Sequence, residues 1–572
     1  MNQIYGSAAR VIVWLGKATP ELVAGVKAAE RIGTESTQHT VRMLTTQTWD
    51  FGSTISNMQE KYGIDPIAEE DAIGLAALFA CNYFVRIWIV QEVSLTDNVV
   101  ILCNGNFTPF DCVCYTAGFL HYSGLYQQVY ALVPPPKRGA HVRGDTYMFA
   151  AERIALIRDW CKREKSEWAE GIKTLDLELG LGDTQPKSSE MLLLRFLVTA
   201  IAFKSTDPRD IIYGLVGLMK QTAARDGLTF SSDFEPDYSI DVNDLLTAVA
   251  KRIIETTDSL AYLGLVKDPN VQAAPGLPSW VPNFPPVQIN SLSGANFRSM
   301  GILNASKHVP HSSPQQVFSV DGTTLNVSAL CLGKVDKLGE IFMDLLRGQQ
   351  MMNADILLSM EKLYPYTGQS ADEVFWPTLL WDTDLSYRPA KQIRLDAFQK
   401  AMMQVWIRPL SLIFQDASSP EEGQSLVLET INMSYLDQVS AKFPSSILPS
   451  TNLLKSMLMN LDLIPKGEVQ LSEEEQQMLV APTSVHSMPP GNVLYASHVG
   501  HRLFLTDSGY LGMGYESVEV GDEVWIIRGC PTPLVLRREG EKFSLIGESY
   551  VHGVMTGEAV GDDTKWEKIQ VV

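Results

Sequence analysis

Positive charge, cysteine and long apolar runs are all scarce in this 572-residue sequence. There are 46 basic side chains against 66 acidic ones, a net charge of −20. A surface that acidic repels phosphate backbones and anionic lipid, which argues against nucleic acid as a partner. The seven cysteines are Cys81, Cys103, Cys112, Cys114, Cys161, Cys331 and Cys530. Odd in number and scattered, they read as reduced thiols of a cytoplasmic protein and not as a disulfide framework. Cys112 and Cys114 form the only tight pair. No second pair or histidine lies at metal spacing from them, so they read as small apolar residues. His498 and His501 alone make a thin metal signal, and no metal is expected. The longest uncharged apolar-rich stretch, Ala72 to Val85, has 14 residues. A membrane span needs about 20, so this stretch reads as a buried helix. No basic region followed by a long apolar segment opens the chain, so no signal peptide is evident. The G-x-x-x-x-G-K-[S/T] phosphate loop, the G-x-S-x-G elbow and the H-E-x-x-H metal helix are all absent. Gly512-Met513-Gly514 lies between β-type segments and reads as a tight turn.

What is present is an ordinary globular composition, 45% apolar and 20% charged. At roughly 100–200 residues per domain, the length suggests about three to five domains. Val11-Ile12-Val13-Trp14-Leu15, closed by Gly16, reads as a strand covered on both faces. Such strands belong to parallel sheets, whose crossovers take about a dozen residues or more. The ten residues before it cannot hold a preceding strand and its crossover. "KATPELVAGVKAAERI" follows, with Thr19 as N-cap, Pro20 at N1, and Leu22, Val23, Val26 and Ala29 at helical spacing. "RIWIVQEV" and "NVVILCNG" read as a further pair of strands, the second ending in the Asn104-Gly105 turn.

Residues 140–270 are mostly helical in pattern. In "STDPRDIIYGLVGLMK", Asp207 can cap, Pro208 can take N1, and Asp210 completes a capping box. "VNDLLTAVAKRIIE" is a second such helix, and the Pro-rich Pro275 to Val287 cannot be helical. Residues 316–335 alternate around Asp321-Gly322 and read as a hairpin. Residues 338–480 return to helix, with Ser472 and Glu475 as a capping-box pair. The last 80 or so residues show short β segments broken at intervals of about 8–12, as in a small barrel or sandwich. The expected organisation is α+β and multidomain. It runs as an α/β part (1–110), a mostly helical region (111–290), a β hairpin segment (291–340) joining the C-terminal module, a helical insertion (341–485) and a β-rich module (486–572).

Two stretches carry candidate chemistry. If "VRIWIVQEV" is a strand, Arg86, Trp88, Val90 and Glu92 share one face. Arg86 and Glu92 are then about 20 Å apart at roughly 3.3 Å per residue, so each needs another partner or a ligand. Gln91 and Glu92 at the carboxyl end of a buried strand occupy the place where α/β sheets bind ligands. The plainer reading makes Glu92 a helix cap or the partner of a structural arginine. In "STDPRD", a cation in the first helical turn opposes the helix dipole, so Arg209 calls for a carboxylate from another element. "EPDYS", with Asp237 and Tyr238, reads as a turn and a cap with Tyr238 buried.

"QIYGSAARVIVWLG", "YFVRIWIVQEV" followed by "VILCNG", "STDPRDIIYGLVGL", "PDYS" and "LPSWVPNF", in that order, resemble the heterokaryon incompatibility (HET) domain proteins of filamentous fungi. The C-terminal "RLFLTDSGYLGMG…VGDEVWIIRGCPTPLVLR…LIGESYVHGVMTGEA" resembles the β-rich tail that many of them carry. The likeness is spread over most of the chain. It implies a TIR-like α/β HET domain and a role in nonself recognition and programmed cell death. It also implies a truncation within that domain, because the family's "WID-x-CINQ" stretch does not occur. Arg86, Trp88, Gln91 and Glu92 match the family's "R-x-W-x-x-QE" as motif positions. Trp14, Gly16, Asp207, Arg209, Asp210, Asp237 and Tyr238 fall in its other motifs. With the upstream acidic positions missing, the resemblance implies no catalysis and no cofactor. The sheet would lack a strand beside Val11–Leu15, and a protein partner, such as an intact HET-family chain, could cover that edge. Two alternatives remain: a TIR-like enzyme cleaving NAD with a longer N-terminus, and a non-enzymatic scaffold that binds protein.

Overall fold

The computed structural model describes residues 2–46, 53–133, 144–162, 188–200, 203–272, 274–284, 303–308, 317–341, 353–382, 403, 407, 410–431, 433–443, 448–480 and 500–572. His498 and the latter part of the Pro-rich stretch lie outside them. The chain divides into two compact units. The first comprises Met1–Leu265, Ala274–Leu277 and Val281–Asn290; the second comprises Val266–Ala273, Pro278–Trp280 and Ser291–Val572.

The first unit holds a three-stranded sheet in the order β1 (Val11–Val13), β2 (Val99–Cys103), β3 (Asn106–Pro109). β1 runs parallel to β2 with Val11 opposite Val99, and β3 returns antiparallel. Asn104 (φ 48°) and Gly105 (φ 78°) make the hairpin turn, both left-handed as a type I′ turn requires. Val11, Val13, Val99, Ile101 and Thr108 bury one face of this sheet. The other face is not covered, contrary to the reading of Val11–Leu15 as a doubly buried strand. Ile12 is 51% exposed and Trp14 70%.

The same unit holds helices α1 (Pro20–Thr46), α2 (Glu69–Phe79), α3 (Ile87–Ser94) and α4 (Phe110–Tyr122). Thr19 Oγ1 accepts from the Leu22 N–H at 3.2 Å and caps α1, with Pro20 at its first position. α1 meets α2 backbone to backbone at two glycines. A Cβ on Gly25 would lie 2.1 Å from the Gly74 carbonyl oxygen, and one on Gly33 would lie 2.0 Å from that of Cys112 in α4. The Ala72–Val85 stretch ends its helix at Phe79 and continues in a 3₁₀ turn, Asn82–Val85.

The segment read as the strand "RIWIVQEV" is helix α3. Ile87, Ile89, Val90, Gln91 and Val93 are all buried on it. A short apolar, β-branched run looks the same in a buried strand and in a buried helix, so burial on both sides misled the periodicity. Only Arg86, just before the helix, keeps extended geometry, as an isolated parallel bridge to Lys204. Four longer helices follow: α5 (Gly144–Lys162), α6 (Ser189–Ala200), α7 (Asp210–Asp226) and α8 (Val242–Thr257). α7 starts at Asp210, two residues later than a cap at Asp207 implies, although Asp207 Oδ1 does accept from the Arg209 N–H at 3.0 Å. Asp241 caps α8 through the Asn243 N–H at 2.8 Å.

The second unit is built on β4 (Phe318–Asp321), β5 (Thr324–Leu338), β6 (His501–Thr506), β7 (Leu511–Tyr515), β8 (Glu523–Ile527), β9 (Leu534–Glu539), β10 (Lys542–Glu548), β11 (Tyr550–Val551) and β12 (Glu567–Val571). β5, β12, β10, β9 and β8 pair in succession, and β8 pairs back to β5, closing a barrel. β6, β7 and β11 extend from the far half of β5. β5 serves both parts because it bends at Gly333 (φ 133°), where the β8 register shifts. Gly512 and Gly514 are not a turn but lie inside β7; a Cβ on Gly512 would sit 2.3 Å from Phe504 Cζ. Trp280 is fully buried here, its Nε1–H donating to the Thr323 carbonyl at 2.9 Å.

Between β5 and β6 the chain makes α9 (Ala354–Ser359), α10 (Ala371–Leu379), α11 (Pro420–Thr430), α12 (Met433–Lys442), α13 (Thr451–Asn460) and α14 (Glu473–Val480). Their apolar faces share one core with Leu503, Leu505, Leu511 and Met513 of β6 and β7. Ser472 and Glu475 exchange hydrogen bonds at 3.2 and 2.8 Å, the capping box at the start of α14. Among the described residues no helix is long and apolar enough to cross a membrane.

Candidate functional site

The motif residues of the first unit gather around α3 and the start of α7, in two groups that face opposite ways. Trp88 and Gln91 sit three apart on one face of α3. Trp88 Nε1–H donates to Asp210 Oδ2 at 3.0 Å. Gln91 Nε2 donates to two consecutive carbonyls of α7, Tyr213 at 3.2 Å and Gly214 at 2.7 Å. The helices approach closely there; a Cβ on Gly214 would lie 2.8 Å from Ile87 Cγ1.

Asp210 also accepts from the Tyr238 hydroxyl at 2.7 Å. Arg209 donates to both oxygens of Asp207, at 2.9 and 2.7 Å, and to the carbonyls of Tyr238 and Ile240 at 2.6 and 3.0 Å. Its carboxylate partner therefore comes from its own turn, not from another element. The Arg209 hydrogen bonds hold Asp207 below the usual carboxylate range. The guanidinium also lies 5.3 Å from the Tyr238 ring. Tyr238 is 49% exposed, not buried as "EPDYS" implied. Its tip is fixed by Asp210 and its ring by Tyr213, edge-on at 5.1 Å. Burial of the hydroxyl, then its bond to Asp210, raise the Tyr238 pKa. Asp237 Oδ1 accepts from the Ser239 N–H at 2.9 Å, an Asx turn, and the Asp237 carbonyl accepts from the Tyr213 hydroxyl at 2.8 Å. Trp88, Gln91, Asp207, Arg209, Asp210, Asp237 and Tyr238 each have a protein hydrogen-bond partner.

The second group is Arg86, Glu92, Tyr83 and Tyr5. Glu92 is half-buried, and Tyr83 Oη–H points at its Oε2 from 3.5 Å. Burial, then the Glu92 charge, raise the pKa of both Tyr83 and Tyr5, and the Arg86 guanidinium lowers both. Arg86 itself is exposed. The helix thus brings Arg86 and Glu92 to the same pair of phenols. As a strand this segment would have held them about 20 Å apart. A carboxylate, a cation and two phenols can hold a polar ligand or move a proton. Tyr5 and Tyr83 were not singled out in the sequence, although both lie inside its quoted motifs, because their roles depend on the helical turn. Trp14 and Gly16 stand apart from both groups; Gly16 (φ 108°) has open space where a Cβ would go. Among the described residues no cluster of His, Cys, Asp and Glu is placed to hold a metal.

Residues 1–92 match the family model for heterokaryon incompatibility protein (HET), and residues 473–569 match that for the Het-6 β-barrel domain. The whole chain is also similar to heterokaryon incompatibility protein 6, OR allele, of Neurospora crassa. The two are 22% identical over 606 residues, covering 98% of this chain and 78% of the relative. No solved structure matches. The chain thus carries, at one end, a segment matching the heterokaryon incompatibility (HET) family and including the α3 motif and, at the other, one matching the Het-6 β-barrel domain, and it is similar along its length to a heterokaryon incompatibility protein.

Proposed function

We propose that this chain acts in the cytoplasm in fungal nonself recognition, on the route from fusion of unlike cells to programmed cell death, and does so through protein contacts and not through catalysis. One observation carries the reading. Trp88, Gln91, Asp207, Arg209 and Asp210, the polar core of the quoted motifs, are engaged in hydrogen bonds that join α3, α7 and the 237–240 turn. Groups so occupied build a scaffold; a substrate would have to displace them. The test is expression of the chain in paired fungal testers. Death of fusion cells with one tester genotype and survival with an isogenic one is the expected result. Survival with every genotype overturns the reading.

The second reading is cleavage of NAD by a TIR-like domain. The observation in its favour is Glu92, half-buried between two tyrosines beside an exposed Arg86. Nicotinamide release from NAD by the purified chain, abolished in Glu92→Gln, would establish this reading and displace the first. Release at the buffer rate removes it.

A further inference from the structure

The 235–241 turn of the first unit is held more firmly than its exposure would suggest. All seven of its residues are exposed, and exposed connections are ordinarily the mobile parts of a fold. This one is tied along its length. The Asp237 carbonyl accepts from the Tyr213 hydroxyl at 2.8 Å, and the Tyr238 and Ile240 carbonyls accept from Arg209 at 2.6 and 3.0 Å. Asp237 Oδ1 accepts from the Ser239 N–H and hydroxyl at 2.9 and 2.6 Å, and the Tyr238 hydroxyl donates to Asp210 at 2.7 Å. The backbone is fixed and the apolar side chains are left outside. Tyr238 is 49% exposed and Ile240 37%.

The charge around this pair has one sign. Glu235, Asp237, Asp241 and Asp244 are exposed, and residues 232–244 carry no basic side chain. Glu235 is paired with Lys220. Among the described residues no ion pair reaches Asp237, Asp241 or Asp244. Arg209, whose charge is felt at Asp237, is already held by both oxygens of Asp207. Beside the turn, Asn243 Nδ2 donates to the Pro275 carbonyl at 3.0 Å, which sets the uncharged, exposed Pro275 and Gly276 next to it. A preset aromatic and aliphatic pair inside a rim of carboxylates has the anatomy of a protein contact, with little left to order on binding. The carboxylates repel phosphate, which argues against nucleic acid and anionic lipid here. They also argue against a second copy, because a two-fold pairing of this turn would set like charges face to face.

We propose that Tyr238 and Ile240 are the docking point for a basic segment of a partner protein, which lays an aliphatic side chain across the two and sets lysine or arginine against Asp237, Asp241 and Asp244. This docking point rests on the reading of the chain as working through protein contacts, and gives that contact a place. The apolar pair anchors the segment. The exposed charges add little each and supply selectivity and salt dependence.

An array of short synthetic peptides, varying lysine, arginine, glutamate and leucine by position, is probed with the full chain. Peptides that combine lysine or arginine with leucine should be retained, and glutamate peptides should not. Fluorescence anisotropy with a retained peptide should show binding that weakens with added salt. It should weaken by about tenfold or more in Ile240→Ser and in the double variant Asp237→Asn/Asp244→Asn. Asparagine keeps an acceptor for Ser239, and Ile240 is tied through its carbonyl, so the melting temperature should not move. If Ile240→Ser lowers it, the double variant decides alone. Asp562→Asn/Asp563→Asn removes two exposed charges from the second unit and should bind as wild type. Equal weakening in that control overturns the proposal, because the attraction would then be to the overall charge. Retention of no basic peptide overturns it, as does wild-type binding by Ile240→Ser. So does self-association of the chain that Ile240→Ser abolishes, which would give the turn to a second copy. In the paired testers Ile240→Ser should lose the genotype-dependent death. Death retained by Ile240→Ser overturns this docking point and leaves the reading standing, whereas survival of every wild-type pairing removes that reading and this proposal with it.

Discussion

Gln91 gives its amide NH2 to two carbonyls inside the fold. Replacing it with leucine removes two hydrogen bonds, while the Tyr213 and Gly214 oxygens keep the N–H groups of the next helical turn. At about 0.5–1.5 kcal/mol net for each hydrogen bond lost, Gln91→Leu should lose about 1–3 kcal/mol in urea unfolding. Its neighbour Glu92 faces the other way, so Glu92→Gln should fall within about 0.5 kcal/mol of wild type. Adjacent in sequence, the two separate structure from candidate chemistry. In the barrel unit, His552 Nδ1 accepts from the Tyr550 hydroxyl and Nε2 meets Gln369 Oε1, both at 3.1 Å. Burial pushes the His552 pKa down to about 4, with the nearby Glu558 charge opposing the shift. An unfolded chain takes up this proton as pH falls below about 6.5, whereas the folded one does not until about 4. Stability is therefore present above 6.5 and is lost as pH falls toward 4, by about 3 kcal/mol for a shift of this size. Unfolding at pH 7 and pH 4.5 should show the stability gap between wild type and His552→Asn narrowing with acid.

Elements were unevenly legible. The caps at Thr19 and Ser472, the Asn104-Gly105 and Asp321-Gly322 turns and the helices α7 and α8 could be read because their signals are local. α3 could not. Its β-branched residues, Ile87, Ile89, Val90 and Val93, are all buried, so neither a two-residue nor a 3.6-residue stripe stands out. Its polar partner for Gln91 is a carbonyl of α7, 122 residues away in the chain, which no local pattern reveals. That one misreading displaced half of the candidate site, since the convergence of Arg86 and Glu92 exists only on a helix. The helix crossings were silent too, because Gly25, Gly33 and Gly74 look like weak helix residues until their partners are known. Each holds two backbones closer than a methyl group allows. Gly25→Ala and Gly33→Ala should each cost about 1–3 kcal/mol or more, where a helix-propensity argument alone predicts a gain of about 1. Urea unfolding of the two variants gives the sign directly.

At the scale of the molecule, the order of helical and β-rich regions was readable from composition and turn spacing. The closure of the barrel was not, because it is made between strands far apart in the chain. β5 ends at Leu338, and β12, which pairs with it antiparallel from Leu325 to Ala329, begins at Glu567. The other barrel strand on β5, β8, starts at Glu523. This separation has a cost in time. A ribosome adds about 5–20 residues per second. More than two hundred residues must follow β5 before β12 exists, so a nascent chain carries one long, unpaired strand edge for about 10–45 s. The barrel can close only late in synthesis, and until then the chain depends on whatever shields that edge in the cell. A ribosome stalled in the helical segment would release a sticky half-barrel.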